Sequence, residues 1–171
     1  MFTNAGQLTK SGGSVSTISS ALANNGLVEV AAGRLVITGD VSGRGALQID
    51  AGQTLEIGGA VGSQQTVGFS GGNDDLVLDD AGAFSGRLSN FGAGDRLDFT
   101  DFDPGTVTIG FAQHGPTGTL TLSDGTNEAQ ITLLGQYAAS GFRDRADGTG
   151  GTLVTYTPPS ESNLNLAAHA G

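Results

Sequence analysis

The chain of 171 residues contains no cysteine and no tryptophan, and only 4 prolines, 2 tyrosines and 2 histidines; charged residues make up just 14% of it. Each shortage excludes something. Without cysteine there is neither a disulfide framework nor a thiolate metal site. Few prolines and no three-residue glycine period exclude collagen. Ordinary globular proteins carry about 25% charged residues, so this is not average enzyme composition. Seven basic residues against 17 acidic ones give a net charge of −10, which repels phosphate backbones and anionic membranes and argues against nucleic acid as a partner. No apolar run approaches the ~18 residues of a spanning helix, so membrane insertion is not expected. The opening "MFTNAGQLTKSGG" lacks the apolar stretch of a signal peptide, which leaves export to an upstream signal or to another route.

Glycine is abundant instead: 30 of 171 residues, more than twice the roughly 7% of average usage. It falls in register. "NNGLVEVAAGRLVITGDVSG" (24–43) and "RGALQIDAGQTLEIGGAVGS" (44–63) share their hydrophobic spacing and little else. Val28 and Val30 match Leu47 and Ile49, Gly33 matches Gly52, Leu35 and Ile37 match Leu55 and Ile57, and Val41 matches Val61. The frame extends backwards to Gly6, Leu8 and Gly13, and forwards to Val67, Phe69, Gly72, Leu76, Leu78 and Phe84. Period-2 alternation marks strands with one buried face, and glycine marks the corners between them. Stacked repeats constrain only inward size and corner geometry, so outward residues drift.

The pattern therefore predicts an all-β fold, a parallel β-helix or β-solenoid of about four 20-residue rungs (4–23, 24–43, 44–63 and 64–86). A small antiparallel β cap closes it, with "SDGTNE" as a hairpin turn between two of its strands. The predicted organisation is 1–86 solenoid, 87–157 cap region and 158–171 flexible tail or linker. An antiparallel sandwich would also alternate, but it does not place glycines at a fixed period. Lys10 falls where Val30 and Ile49 point inward, an irregularity that a terminal rung tolerates.

The rungs "NAGQLTKSGGSVSTI" and "NNGLVEVAAGRLVITG" resemble the passenger repeats of autotransporters and other large bacterial surface adhesins. "GGNDDLVLD" followed by "LSNFGAGDRLDFTD" resembles the calcium-binding repeat of RTX exoproteins and the segment after it, and "ITLLGQYAASGFRDRADGTGGTLVTY" is similar to the closing module of many such proteins. The resemblance implies secretion or a bacterial cell-surface location, a β-solenoid, and a non-enzymatic scaffold or adhesive role within a larger protein. Partners implied are other copies, by edge pairing or head-to-tail stacking, and a host, matrix or polysaccharide component.

Three chemistries compete with that reading. Eight aspartates lie between residues 74 and 103. Asp74, Asp75, Asp79, Asp80, Asp95 and Asp98 form a candidate calcium set, because carboxylates on glycine-rich turns suit a hard cation. Gly71 and Gly72 match the leading glycines of the RTX pattern, whereas Asp74 stands in place of the third glycine and the repeat occurs once. Solvated acidic surface is the plainer reading. A polysaccharide-active or polysaccharide-binding β-helix is another alternative; glycoside hydrolysis or lyase chemistry would need paired carboxylates, sugar-stacking aromatics and basic residues on one face. Of the arginines, only Arg34 and Arg44 are expected to share a face. "GFSGG" (68–72) matches a nucleophile elbow in letters alone, since no helix follows, and His114 and His169 offer no partner for Ser70. No enzymatic activity is expected.

Overall fold

The structure, a computed structural model, describes residues 1–160. It is a β-solenoid of five turns, each passing through three faces. Turn one consists of β1 (Phe2–Asn4), β2 (Gln7–Lys10) and β3 (Val15–Ile18). Turn two consists of β4 (Leu22–Asn24), β5 (Leu27–Val30) and β6 (Arg34–Ile37). Turn three adds β7 (Val41–Ser42), β8 (Ala46–Asp50) and β9 (Thr54–Ile57). Turns four and five contribute β10 (Thr66–Ser70) with β11 (Asp75–Leu78), then β12 (Arg87–Ser89) with β13 (Arg96–Phe99). On the first face these last two turns supply only the bridges Val41 to Val61 and Val61 to Phe84. Equivalent strands pair in parallel, giving a narrow sheet A (β1, β4, β7), a sheet B that begins with β2, β5, β8, β10 and β12, and a sheet C that begins with β3, β6, β9, β11 and β13.

The predicted columns are the observed registers. Leu8, Val28, Leu47, Val67 and Leu88 stack along sheet B, with Val30, Ile49 and Phe69 beside them. Leu35, Leu55, Leu76 and Leu97 stack along sheet C, beside Ile37, Ile57, Leu78 and Phe99. From Val28 to Phe99 these side chains are at most 4% exposed, and each contributes about 1.5–3 kcal/mol of burial. The corner from sheet B to sheet C is turned by Gly13, Gly33, Gly52 and Gly94, all at positive φ (71°, 77°, 75° and 94°). In turn four Gly71, Gly72 and Asn73 share that task, at φ 127°, 97° and 60°. Positive φ at so many equivalent points is why glycine recurs at one spacing while other residues drift.

Lys10 does point inward and is only 7% exposed. Its Nζ donates to the carbonyls of Gly12, Gly13 (3.0 Å) and Ala32 (2.8 Å), so the ammonium closes the first corner instead of filling the core. A second buried polar column, absent from the sequence reading, runs along the corner from sheet A to sheet B. Asn4 Nδ2 donates to Asn24 Oδ1 (2.9 Å) and to Leu27 O (2.9 Å). In turn three the column has no side chain: Gly43 and Gly45 lie there, and a Cβ on Gly45 would come within 2.6 Å of Asn24 Nδ2. Gln65 reaches across that gap from turn four, donating to Asn24 O (2.8 Å) and Ser42 O (2.9 Å) and accepting from Asn24 Nδ2 (3.1 Å).

The stack differs from the predicted four turns because β12 and β13 complete a fifth. Only Leu88 of β12 points into the core, and Phe91, in the loop beyond it, fills the next core position, packed edge-to-face on Phe69 at 5.2 Å. The repeat signal fades there, so a sequence frame ends one turn early.

The cap is antiparallel within itself and grows out of both large sheets. A meander of β14 (Thr108–His114), β15 (Thr117–Ser123) and β16 (Glu128–Leu134) joins sheet B through β16, which runs parallel to β12. The hairpin β17 (Phe142–Ala146) and β18 (Thr152–Tyr156) joins sheet C through β18, antiparallel to β13. The turn 124–127 is where "SDGTNE" places it; Asp124 accepts from the N–H groups of Thr126, Asn127 and Asp103, which pulls its pKa down to about 2. Phe111, Tyr137, Phe142 and Tyr156 cluster between meander and hairpin, and Tyr137 donates its hydroxyl to Phe91 O at 2.9 Å. Beyond residue 160, the predicted tail lies outside the described residues.

Candidate functional site

Two of the six candidate calcium ligands are closed by the backbone. Asp74, fully buried, accepts from Gly52 N (2.9 Å) and from Ser70 N (2.8 Å). Asp95, 2% exposed, accepts from Asp74 N (3.2 Å) and Gly92 N (2.9 Å). Gln53 does the same one turn earlier, accepting from Gly33 N. Gln53, Asp74 and Asp95 therefore tie the glycine corners of successive turns together, each side chain taking the N–H of the turn before. Burial raises the Asp95 pKa, offset by those backbone hydrogen bonds. A side-chain acceptor recurring once per turn next to the corner glycine was the available sequence signal.

The other four divide between two places. Asp80 caps the 3-10 turn Ala81–Ala83 by accepting from Ala83 N, and Asp79 accepts from Thr100 Oγ1 (3.1 Å). Asp75 and Asp98 point outward from sheet C. Among the described residues, no group of three or more His, Asp or Glu is arranged to hold a metal ion.

The outer face of sheet C carries both ion pairs found among the described residues. Two outward columns cross it. Arg34, Thr54, Asp75, Arg96, Thr155 and Arg143 form one; Val36, Glu56, Val77, Asp98, Leu153 and Arg145 form the other. Arg34 pairs with Glu56 (Nε to Oε2, 2.7 Å), and Arg96 forms a fork with Asp75, its NH2 group donating to Oδ2 at 2.5 Å. Arg44, expected to accompany Arg34, stands instead between β7 and β8; the arginines that share the face of Arg34 are Arg96, Arg143 and Arg145. Strand pairing decides this, because partners on one face come from different turns and from the hairpin.

Asp98 occupies the centre. Its register neighbours Val77 and Leu153 are each 8% exposed although they lie on the outer face. Its Oδ1 is buried without a hydrogen-bond partner. Burial first, then the charges of Asp147 and Asp75, push its pKa up to about 6, against a smaller opposite pull from Arg34. Asp147 is held in its own turn by the hydroxyl and N–H of Thr149 and by the N–H groups of Gly150 and Gly151, which lower its pKa. A groove of about 270 Å³ opens here, lined by Arg34, Asp75, Arg96, Asp98, Arg145 and Asp147 among others. A mixed carboxylate and guanidinium lining with an aliphatic floor can accept and donate hydrogen bonds to a polar, uncharged ligand.

"GFSGG" closes on the structural side. Phe69 is core, Ser70 ends β10, and its N–H is bonded to Asp74. His114 ends the edge strand β14 of the cap, and His169 lies outside the described residues. Among the described residues no helix is long and apolar enough to cross a membrane. No known family model matches the chain, and no curated protein matches it.

Proposed function

We propose that the chain is a non-enzymatic structural segment of a secreted bacterial surface protein, a solenoid that spaces or presents the modules joined to it. One observation carries the reading: the two ends of the stack are opposites. The three exposed large apolar side chains of the described residues, Met1 (86%), Phe2 (42%) and Val15 (56%), all lie on the first turn, where β1, β2 and β3 are paired on one side only. The first turn carries no acidic residue of its own; the first in the chain is Glu29, on β5 of the second turn, whose carboxylate accepts from Gln7 and Thr9 of β2. At the other end the cap covers the fifth turn, and its outer hairpin strand β17 carries Arg143, Asp144 and Arg145, charges that discourage further pairing. An apolar, half-paired edge suits the addition of more β structure, either further turns or the same edge of a second copy.

The test is to join an extra copy of residues 24–43 ahead of residue 1. Solenoid stability is close to a sum of turn and nearest-neighbour terms, so the fused turn should protect the amides of β1 to β3 from hydrogen exchange and raise the melting midpoint. Unchanged exchange in β1 to β3 would overturn the proposal.

A further inference from the structure

A spacer needs only an inert outer face, and sheet C does not have one. Most polar groups around its groove are already engaged: Arg34 with Glu56, Arg96 with Asp75, and Asp147 with its own turn. Two are left over. Asp98 carries an oxygen with no partner, and among the described residues the Arg145 guanidinium makes no ion pair or hydrogen bond. They lie on either side of Leu153, in register across three adjacent strands (β13, β18, β17), with Val77 on the far side of Asp98. An unpaired acceptor shielded from water is destabilising, and nothing in the packing of the solenoid requires it there, since the side chain points away from the core.

Charge narrows the ligand. Glu56, Asp75, Asp98 and Asp147 outnumber Arg34, Arg96 and Arg145, which disfavours phosphate, sulfate and uronate. The absence of a metal-holding group among the described residues disfavours a divalent cation. What fits is a molecule that is uncharged, rich in hydroxyls and apolar on its ring faces. We propose that the groove on the outer face of sheet C binds a neutral saccharide, whose hydroxyls donate to Asp98 and accept from Arg145 while its C–H face rests on Val77 and Leu153. No aromatic ring lines the groove, so affinity rests on hydrogen bonds and aliphatic contact and falls in the millimolar range, about 4 kcal/mol. Repetition along a longer surface would convert such weak sites into firm attachment. The inference is independent of the spacer reading, because the groove is built by turns two to five and the hairpin and does not involve the open edge.

The experiment is an NMR titration of the full 171-residue chain with maltotriose, cellotriose and triacetylchitotriose, with trigalacturonate as the acidic counterpart. The expected result is saturable shifts at Val77, Asp98 and Leu153 with at least one neutral trisaccharide at about 10 mM, well above a millimolar Kd. Asp98→Leu should weaken that binding at least tenfold, and Asp98→Asn, which keeps an acceptor, by less. Melting curves of both variants establish that they fold. No saturable shift with any neutral trisaccharide, equal affinity in the folded Leu variant, or binding of trigalacturonate alone would each overturn the proposal.

Discussion

Replacing Asp98 by Asn should stabilise the protein, and only above about pH 4. The Asp98 pKa is raised from 3.8 to about 6 in the folded chain, so the folded state holds this proton more tightly than the unfolded state. Stability from that proton is complete below 3.8 and is lost as pH rises through 6. The full shift corresponds to about 3 kcal/mol; because the carboxyl is partly solvated, screening reduces this to about 1–2 kcal/mol at neutral pH. Asn fits the same space between Val77 and Leu153 without a charge. For a domain of this size, that difference raises the melting midpoint by about 3–6 °C at pH 7.5. The assay is a pair of thermal melts across pH 3.5 to 8, read as the difference between variant and parent so that other carboxylates, such as Asp95 and Asp124, cancel. The difference should vanish near pH 3.5 and grow to its plateau above pH 7. Parallel profiles, with the parent equal to the variant at every pH, would refute the reasoning, as would a carboxyl carbon of Asp98 that titrates near 4. A gain in stability together with weaker saccharide binding would be the trade between stability and function expected of a polar group kept for a ligand.

Ile49→Asp places a carboxylate between Val30 and Phe69, where Ile49 is fully buried, and should cost about 3–5 kcal/mol; a urea melt matching that of the parent would contradict the column assignment. Gln65→Leu removes three hydrogen bonds and strands Ser42 O, a loss of about 2–4 kcal/mol in chemical denaturation, whereas Gln64→Leu, at the exposed neighbour, should be neutral. Calcium should leave the melting midpoint where EDTA and magnesium at matched ionic strength leave it, because the oxygens of Asp74 and Asp95 are occupied by backbone N–H groups; a calcium-specific rise would return these aspartates to the ligand set.

The residues Val28, Leu47 and Val67 declare their common column in the sequence because a parallel stack makes one turn a copy of the next: equivalent positions meet equivalent neighbours, so inward size and corner glycine are written once per period. For the same reason Gly33 and Gly52 mark their corner without any knowledge of the fold. The fifth turn escaped that logic when the loop residue Phe91 took over the next core position. Pairings outside the repeat were also hidden. That β16 joins β12 in parallel and β18 joins β13 in antiparallel fashion depends on contacts between residues dozens of positions apart, and no local period records them. The acidic run was legible as composition, but its chemistry was not. Asp74 and Asp95 became corner ties because the preceding turn aims its N–H groups at them, and Asp98 became a shielded carboxyl because Leu153 arrives beside it from the hairpin. Periodicity specifies which side chains point inward; the environment of an outward one is decided by whichever strand tertiary structure lays next to it.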